Sequence, residues 1–136
     1  MENNEPIRCT ISVPMISDQA LENLRRIIAN KGDLIKHALG TDDLTIAVSK
    51  STGELDFPWF TIEQDGDAEA YAIFVQMLCS FASVRTRINN KPDASQNEKY
   101  AFRCFLLRLG MLGDEFKPTR KVLLRRLSGN SAFKSR

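Results

Sequence analysis

The sequence has a single histidine, His37, among its 136 residues. Histidine-based zinc sites and paired-histidine catalysis need at least two such side chains. A Ser/His/Asp or Cys/His arrangement would have to be built on His37, which follows Lys36 on a helical pattern that indicates a surface position. The sequence therefore excludes histidine-rich metal sites and gives no support to a catalytic triad.

Glycine-rich loops and long apolar runs are also absent. The seven glycines stand singly, so no backbone loop is available to cradle a phosphate group. No apolar run approaches the ~18 residues that a membrane-spanning helix requires. The first residues, MENNEPIR, lack the charged-then-apolar order of a secretory signal. These absences predict a cytoplasmic protein without membrane contact.

Cysteine is scarce and odd in number. Cys9, Cys79 and Cys104 are scattered along the chain, and each has apolar neighbours. We expect buried free thiols rather than a disulfide framework. Nothing in the surrounding residues marks Cys79 or Cys104 as an activated nucleophile.

The first forty residues predict a strand and a helix. Residues 7–13 alternate between apolar and polar side chains, which is typical of a strand. Ser17 is a good N-cap for the helix that follows, and Gly40 is expected to close that helix. Gly32 interrupts the apolar stripe between them, so either the helix bends there or a second turn restarts after it.

Two further strands are predicted at 44–49 and 54–60, joined by turn residues 50–53. With the first strand they suggest a small antiparallel sheet that packs against the first helix. The run at 57–60, FPWF, is open to two interpretations: a buried strand end or an exposed aromatic recognition patch. We favour burial, because Trp and Phe gain the most from it.

The second half of the chain predicts three helices. A wide apolar face covers residues 68–88, and a loop follows at 89–95. A helix over 96–109 leads through a turn at 110–114 into a last helix that runs to about residue 127. The side chains of the middle helix that are expected to point inward are Phe102, Phe105, Leu106 and Leu109.

These elements predict an α+β fold, in which a small three-stranded antiparallel sheet with a packed helix is followed by a C-terminal three-helix bundle. We expect a single domain over residues 1–136, with a β-α-β-β unit in 1–65, a helical part in 66–127 and a tail in 128–136. The expected core includes Leu24, Ile28, Phe74, Leu78, Phe105 and Leu124.

What the sequence has in abundance is positive charge near its end. Residues 98–136 hold ten Lys and Arg against three Asp and Glu, a net charge of +7, whereas residues 1–97 hold nine against fourteen, a net charge of −5. The chain therefore combines an acidic body with a basic arm. Such an asymmetry bears on the kind of partner rather than on the fold.

On a helical wheel of the last helix, the apolar residues occupy one arc and the cations occupy the adjoining one. Three interpretations remain open: a solubilising face, a phosphate-binding face, or a face for an acidic protein. The two helices joined by a glycine-containing turn resemble a helix-turn-helix, but the second helix has no Asn or Gln to read bases. The candidate residues for nucleic-acid or partner binding are Lys117, Lys121, Arg125, Arg126, Arg103, Arg108, Phe133 and Lys134.

The tail carries an aromatic residue between polar and basic neighbours. Phe133 precedes Lys134, and Arg136 follows. Phe133 either contacts a partner or folds back onto the body as a structural plug, since large apolar side chains usually find cover. Both interpretations stay open at this point.

Carboxylates cluster in predicted loops and hairpins. A metal-dependent nuclease needs such groups beside a lysine, but acidic residues at these places commonly form turns or cap helices. We therefore predict no enzymatic activity, no metal and no organic cofactor. The clusters comprise Asp42 and Asp43, Glu54 and Asp56, and Glu63, Asp65 and Asp67.

Three stretches resemble a known family: ALENLRRIIANKGDLIKHALG, ELDFPWF and NEKYAFRCFLLRLGMLGDEFKPTRKVLLRRLSGNSAF. The family comprises small "virulence-related" accessory proteins of conjugative transposons and prophage-like elements of gut Gram-positive bacteria. The resemblance spans about residues 15–133, and its C-terminal stretch is the most specific part. Pro118 stands where the family has an ordinary helix former, which moves the expected start of the last helix to about Lys117.

The resemblance implies a mobile-element cargo protein in a bacterial cytoplasm, with no established reaction and no catalytic residues to carry over. Small proteins of such elements often bind DNA or block a host defence protein. We therefore expect a non-enzymatic accessory protein that binds nucleic acid, or a nucleic-acid-bound protein, through its basic C-terminal helices. The alternative is an inhibitor of a host nuclease or defence complex, of the anti-CRISPR kind, that acts by protein–protein contact. Neither needs a small-molecule substrate, and the oligomeric state stays open.

Overall fold

The computed structural model describes residues 7–84 and 97–129, and within them the fold is α+β, with four helices and one three-stranded antiparallel sheet. In chain order the elements are β1 (Ile7–Pro14), α1 (Asp18–Leu39), β2 (Ala47–Ser49), β3 (Glu54–Ile62), α2 (Asp67–Val84), α3 (Glu98–Leu109) and α4 (Lys117–Leu124), with a 3-10 turn at Asp114–Phe116 before α4. This confirms the predicted fold class and the three-stranded sheet.

β3 lies at the centre of the sheet, between β1 and β2. The β1–β3 pairing is interrupted by a bulge: Cys9 faces Phe60 and Ile11 faces Phe57, so β3 has one extra residue between these pairs. The extra residue breaks the strict alternation of side chains, which allows the adjacent Trp59 and Phe60 both to be buried. Phe57, Trp59 and Phe60 are all fully buried, which confirms the buried interpretation of the aromatic run.

β2 is shorter than predicted, because it pairs with β3 only over Ala47–Ser49. The prediction of a strand from residue 44 was therefore wrong at its start. The indole Nε1 of Trp59 donates a hydrogen bond to the carbonyl oxygen of Thr45 at 2.7 Å. Leu44 and Ile46 pack against the core from this unpaired segment. The apolar pattern of 44–46 thus reflects packing rather than strand pairing.

α1 is one continuous helix through Gly32, so the restart that the sequence left open does not occur. Its ends form as predicted. The Ser17 hydroxyl accepts a hydrogen bond from the Ala20 N–H at 3.1 Å, and Gly40 closes the helix in the left-handed conformation at φ 68°. The two caps fix both ends of the longest helix among the described residues.

The helices α2, α3 and α4 contact one another, and α1 contacts each of them. The inward face predicted for α3 is confirmed, since all four of its predicted side chains are buried. Five of the six predicted core residues are buried, whereas Ile28 is only partly covered. The separate grouping of α2, α3 and α4 as a three-helix bundle stays a prediction.

The helix limits differ in part from the predicted ones. α3 begins at Glu98, and its N-cap is Asn97, whose side chain accepts a hydrogen bond from the Tyr100 N–H at 3.1 Å. α4 begins at Lys117, as expected, but ends at Leu124, three residues before the predicted limit. Leu127 nevertheless packs into the core. Within the two described ranges, no helix combines the length and hydrophobicity that crossing a membrane requires.

Candidate functional site

Arg125, which the helical wheel placed on the cationic arc of the last helix, is paired with a buried carboxylate at the start of α2. Its guanidinium donates to both oxygens of Asp67, through Nη1 at 2.8 Å and Nη2 at 2.7 Å. Asp67 is fully buried, and its Oδ2 also accepts the N–H groups of Glu63 and Gln64 at 2.9 and 3.0 Å. The expected exposure of Arg125 is therefore corrected, because the side chain joins α4 to α2. Its role in binding stays a prediction.

The pair changes the titration of both partners. The hydrogen bonds from Arg125 are the largest cause that lowers the pKa of Asp67 from 3.8 to about 2, and the two backbone N–H groups act in the same direction. In return, the hydrogen-bonded carboxylate raises the pKa of Arg125 above its usual range. Both groups are charged at neutral pH, so Asp67 is engaged in a structural ion pair rather than facing an open metal site.

Arg126 is also turned inward. Its Nη2 donates to Glu63 Oε1 at 2.7 Å, and a Cβ atom at Gly40 would lie 3.1 Å from its Nε. The Nη1 atom is buried and has no hydrogen-bond partner among the described residues. Arg126 therefore packs against the C-terminal end of α1, where the helix dipole favours a cation. Its side chain is only 20% exposed, and its role in binding stays a prediction.

The other predicted cations have different surroundings. Lys117 and Lys121 are exposed, one helical turn apart on α4, and neither forms an ion pair with another described residue. Arg108 is exposed in the last turn of α3, and Arg103 is half-buried. The predicted residues Phe133 and Lys134 lie outside the described residues. The structure thus leaves two lysines and Arg108 as exposed cations from the predicted set.

The turn between α3 and α4 is held by a residue that the sequence interpretation overlooked. Arg120 Nη1 donates to the carbonyl oxygens of Met111 at 2.7 Å and of Gly113 at 3.1 Å. Between these two carbonyls, the side chain of Leu112 is 60% exposed. Glycines at positive φ bracket this leucine in the sequence, which is the signal that could have revealed a tight turn presenting an apolar side chain.

We call the surface formed by Arg108, Leu112, Lys117 and Lys121 the α3–α4 corner. All four side chains are exposed. Arg108 lies in the last turn of α3, Leu112 in the turn that Arg120 holds in place, and the two lysines on α4. Asp114 and Glu115 lie within the same stretch of chain and reduce its net charge. The corner can contact phosphates or an acidic protein surface, but its charge is too mixed for a strongly attractive field.

A concave feature lies between α1 and α3. The groove has a volume of about 680 Å³ and is lined by the C-terminal half of α1, by residues 42–45 and by the first residues of α3. His37 Nδ1 and Glu98 Oε2, 2.6 Å apart, form part of its lining. We call this feature the α1–α3 groove. Sequence reasoning placed His37 correctly on the surface but had no means of pairing it with Glu98.

The acidic clusters are mostly used in local structure. Asp43 accepts hydrogen bonds from the side chain and backbone of Thr45, which lower the pKa of its carboxyl. Asp56 Oδ1 accepts the Ser12 hydroxyl at 2.6 Å across the β1–β3 pair. Within residues 7–84 and 97–129, no group of three or more His, Cys, Asp or Glu side chains is placed to hold a metal ion.

The three cysteines are free thiols, as predicted, but only one is fully covered. Cys79 is buried on α2, and burial raises the pKa of its thiol from 9.0 to about 11. Cys9 and Cys104 are half-buried. The expectation of three buried thiols is thus confirmed for Cys79 and corrected for the other two.

Comparison with known proteins identifies no relative of this chain. No protein-family model matches the chain, and neither a curated protein nor a solved structure shows significant similarity to it.

Proposed function

We propose that this protein acts by binding, and that its α3–α4 corner contacts a polyanionic macromolecule, either nucleic acid or a protein that is bound to nucleic acid. The observation that carries the proposal is the contrast among four neighbouring cations. Arg125 and Arg126 are engaged by Glu63 and Asp67, whereas Lys117 and Lys121 stay exposed and form no ion pair with a described residue. Exposed lysines that form no ion pair are the groups that phosphates attract.

The contacts made by the acidic side chains support a non-enzymatic function. Asp67, Asp43 and Asp56 are each hydrogen-bonded to neighbouring residues that stabilise the fold. The one histidine pairs with Glu98 at the rim of a groove, away from any activated thiol or hydroxyl that the described contacts reveal. These roles leave the described residues without an evident nucleophile and base in partnership.

Binding through the α3–α4 corner would show little preference for the base sequence of the nucleic acid. Lysine and arginine side chains on a surface contact phosphates, which position a protein without reading bases. Three such cations predict a modest affinity that falls as salt rises. On duplex DNA, the logarithm of the binding constant falls with the logarithm of the salt concentration with a slope of about −0.9 per neutralised phosphate. The proposed ligand is therefore a phosphate backbone rather than a specific sequence.

A protein partner is the second candidate, and the exposed Leu112 favours it. A clamped turn presents this apolar side chain among cations, as expected for a small contact with an acidic protein surface. In this version the protein inhibits a host nuclease or defence complex by direct contact. Such an interface loses affinity when its apolar anchor is removed and depends less on salt.

The resemblance to mobile-element accessory proteins completes the proposal. It supports a place in a bacterial cytoplasm and a role that benefits the element that carries the gene. We include in the proposal the three-helix bundle of α2, α3 and α4, because α3 and α4 form the corner and α2 receives Arg125.

A pull-down from bacterial lysate, with and without nuclease treatment, tests the proposal. The full chain should capture nucleic acid, and the double variant Lys117→Gln, Lys121→Gln should lose it. Lys50→Gln, which removes the same charge from the exposed turn before β3, is the matched control and should capture as the wild type does.

The two candidates predict different patterns of loss. If Leu112→Ser abolishes capture of a protein that survives nuclease treatment, the inhibitor interpretation holds and the nucleic-acid one is wrong. If none of these substitutions changes what is captured, the α3–α4 corner is not the binding surface.

A further inference from the structure

β1 is an edge strand with an open side. The strand order is β1-β3-β2, and no strand among residues 7–84 and 97–129 pairs with the side of β1 that faces away from β3. A free edge is commonly protected by a short strand, an internal proline or a bulge. β1 instead runs for eight residues, its proline is the last of them, and the extra residue of the bulge belongs to β3. Its backbone N–H and C=O groups on the open side can therefore pair with another strand.

The apolar side chains of β1 are covered to different degrees. Val13 is buried, Cys9 and Ile11 are half-buried, and Ile7 is 64% exposed. All four share one face of the strand, because side chains alternate along it. A strand added to the open edge would remove more of this apolar surface from water, which favours association.

A cleft of about 560 Å³ lies beside the second half of β1. Residues 12–16 form one wall, and five residues of α2 between Gln76 and Val84 form the other. No lining residue is charged, and two of them, Met15 and Val84, are exposed apolar side chains. The cleft therefore suits an apolar side chain rather than an acidic or a basic one.

The solvent-facing side of the sheet has opposite charges near the two ends of β1. Arg8 donates two hydrogen bonds to β3 and forms no ion pair with a described residue. Ser12, near the other end, donates to Asp56 Oδ1 at 2.6 Å, and Asp56 likewise has no ion pair with a described residue. Glu54 adds a second negative charge two residues before Asp56, whereas Lys50 follows β2 at the opposite edge of the sheet. The face beside β1 is thus basic at one end and acidic at the other.

We propose that two copies of this chain associate by antiparallel pairing of their β1 strands, about a two-fold axis at Thr10. In this register Ile7 faces Val13 of the second copy, and Arg8 faces Ser12 of the second copy. Apolar side chains then meet apolar ones, and polar side chains meet polar ones. A slip of one residue would place each apolar side chain opposite a polar one.

The register also joins each feature of the edge to its complement. Val13 lines the cleft, so Ile7 of the second copy lies at the cleft and gains cover there. Neighbouring strands lie about 4.8 Å apart, which puts Arg8 about 10 Å from Asp56 of the second copy, measured between backbones. An extended arginine side chain and a carboxylate close that separation. Two-fold symmetry forms the ion pair twice, and the two sheets become one of six strands.

Sedimentation velocity of the full chain tests the association. The wild type should form a dimer whose fraction rises with protein concentration. Ile7→Lys should make the protein monomeric, because it removes the apolar contact and brings a charge to an uncharged cleft, while the exposure of Ile7 lets the fold persist. Val48→Lys is the matched control, since Val48 is an exposed apolar residue on β2 at the other edge, and it should dimerise as the wild type does.

Three results would overturn the proposal. The first is a wild type that stays monomeric at the highest attainable concentration. The second is a dimer that Ile7→Lys leaves intact. The third is a dimer that Val48→Lys abolishes, which would place the interface at β2.

Mixing two charge variants tests the register. Arg8→Asp and Asp56→Arg each bring like charges together at both ends of the dimer, and each should raise the dissociation constant about tenfold or more. An equal mixture of the two should associate as tightly as the wild type, because the mixed dimer pairs opposite charges twice. Mixing cannot repair a defect within one chain, so a mixture no tighter than the single variants would refute the register. The interface shares no residue with the α3–α4 corner, so a monomeric protein would leave the proposed function standing.

Discussion

Replacing Arg125 by methionine should destabilise the protein far more than the same replacement at Arg126. Arg125→Met leaves the fully buried carboxylate of Asp67 with only its two backbone hydrogen-bond donors. Removing one partner of a buried pair is costly, because the remaining charge loses its compensation. Methionine keeps most of the apolar packing of the arginine stem, so the loss reports mainly on the guanidinium.

The lowered pKa of Asp67 gives the size of the stability loss expected for Arg125→Met. A drop from 3.8 to about 2 corresponds to roughly 2.5 kcal/mol at about 1.4 kcal/mol per pKa unit. The Arg125 side chain is 20% exposed, so solvent screening reduces its share. We expect Arg125→Met to lower the free energy of unfolding by about 2 kcal/mol at pH 7. Arg126 contacts Glu63, which is 46% exposed, so Arg126→Met should cost less than about 1 kcal/mol.

The pH dependence has a definite sign. The folded-state pKa of Asp67 is lowered, so the ionised carboxylate stabilises the folded protein. This contribution to the free energy of unfolding is fully present above about pH 4 and is lost as the pH falls through about 2. The difference in unfolding free energy between wild type and Arg125→Met should therefore shrink over that interval. Urea unfolding at a series of pH values measures it. Equal costs for the two arginine variants, or a difference that does not change with pH, would refute this reasoning.

Two further predictions concern the core and the thiols. Leu78→Ala should lower the free energy of unfolding by about 2–5 kcal/mol, whereas Ile28→Ala, at a half-covered position, should cost clearly less; urea unfolding compares them. Cys79, whose thiol pKa is raised to about 11, should resist a thiol reagent at pH 8 in the native protein and react on unfolding. Cys9 and Cys104 should react first, and a native Cys79 that reacts as fast as they do contradicts its burial.

The local parts of the fold could be predicted from the sequence. Ser17 and Gly40 mark the ends of α1 because each cap depends on residues within one turn of it. The buried aromatic run on β3 could be predicted too, since Trp and Phe lose most when exposed. The start of β2 could not, because the carbonyl of Thr45 is used by Trp59, fourteen residues further on.

The candidate site was predicted only in part, because charge patterns do not show what a charge faces. Lys117, Lys121 and Arg125 repeat every four residues, so a helical wheel treats them alike. The structure separates them through Asp67, 58 residues before Arg125 in the sequence. An acidic turn with carboxylates four residues apart, Glu63 and Asp67, was the one available hint of a partner for the two arginines.

The salt dependence of binding tests the central claim most directly. Fluorescence anisotropy with a short labelled DNA duplex gives the affinity of the full chain at increasing salt. The account predicts that the double variant Lys117→Gln, Lys121→Gln weakens binding. It should also reduce the magnitude of the slope of log binding constant against log salt concentration by about 1.8, which is two phosphate contacts at about 0.9 each. Lys50→Gln should leave that slope unchanged. An unchanged slope in the double variant, or wild-type binding that does not respond to salt, would contradict it.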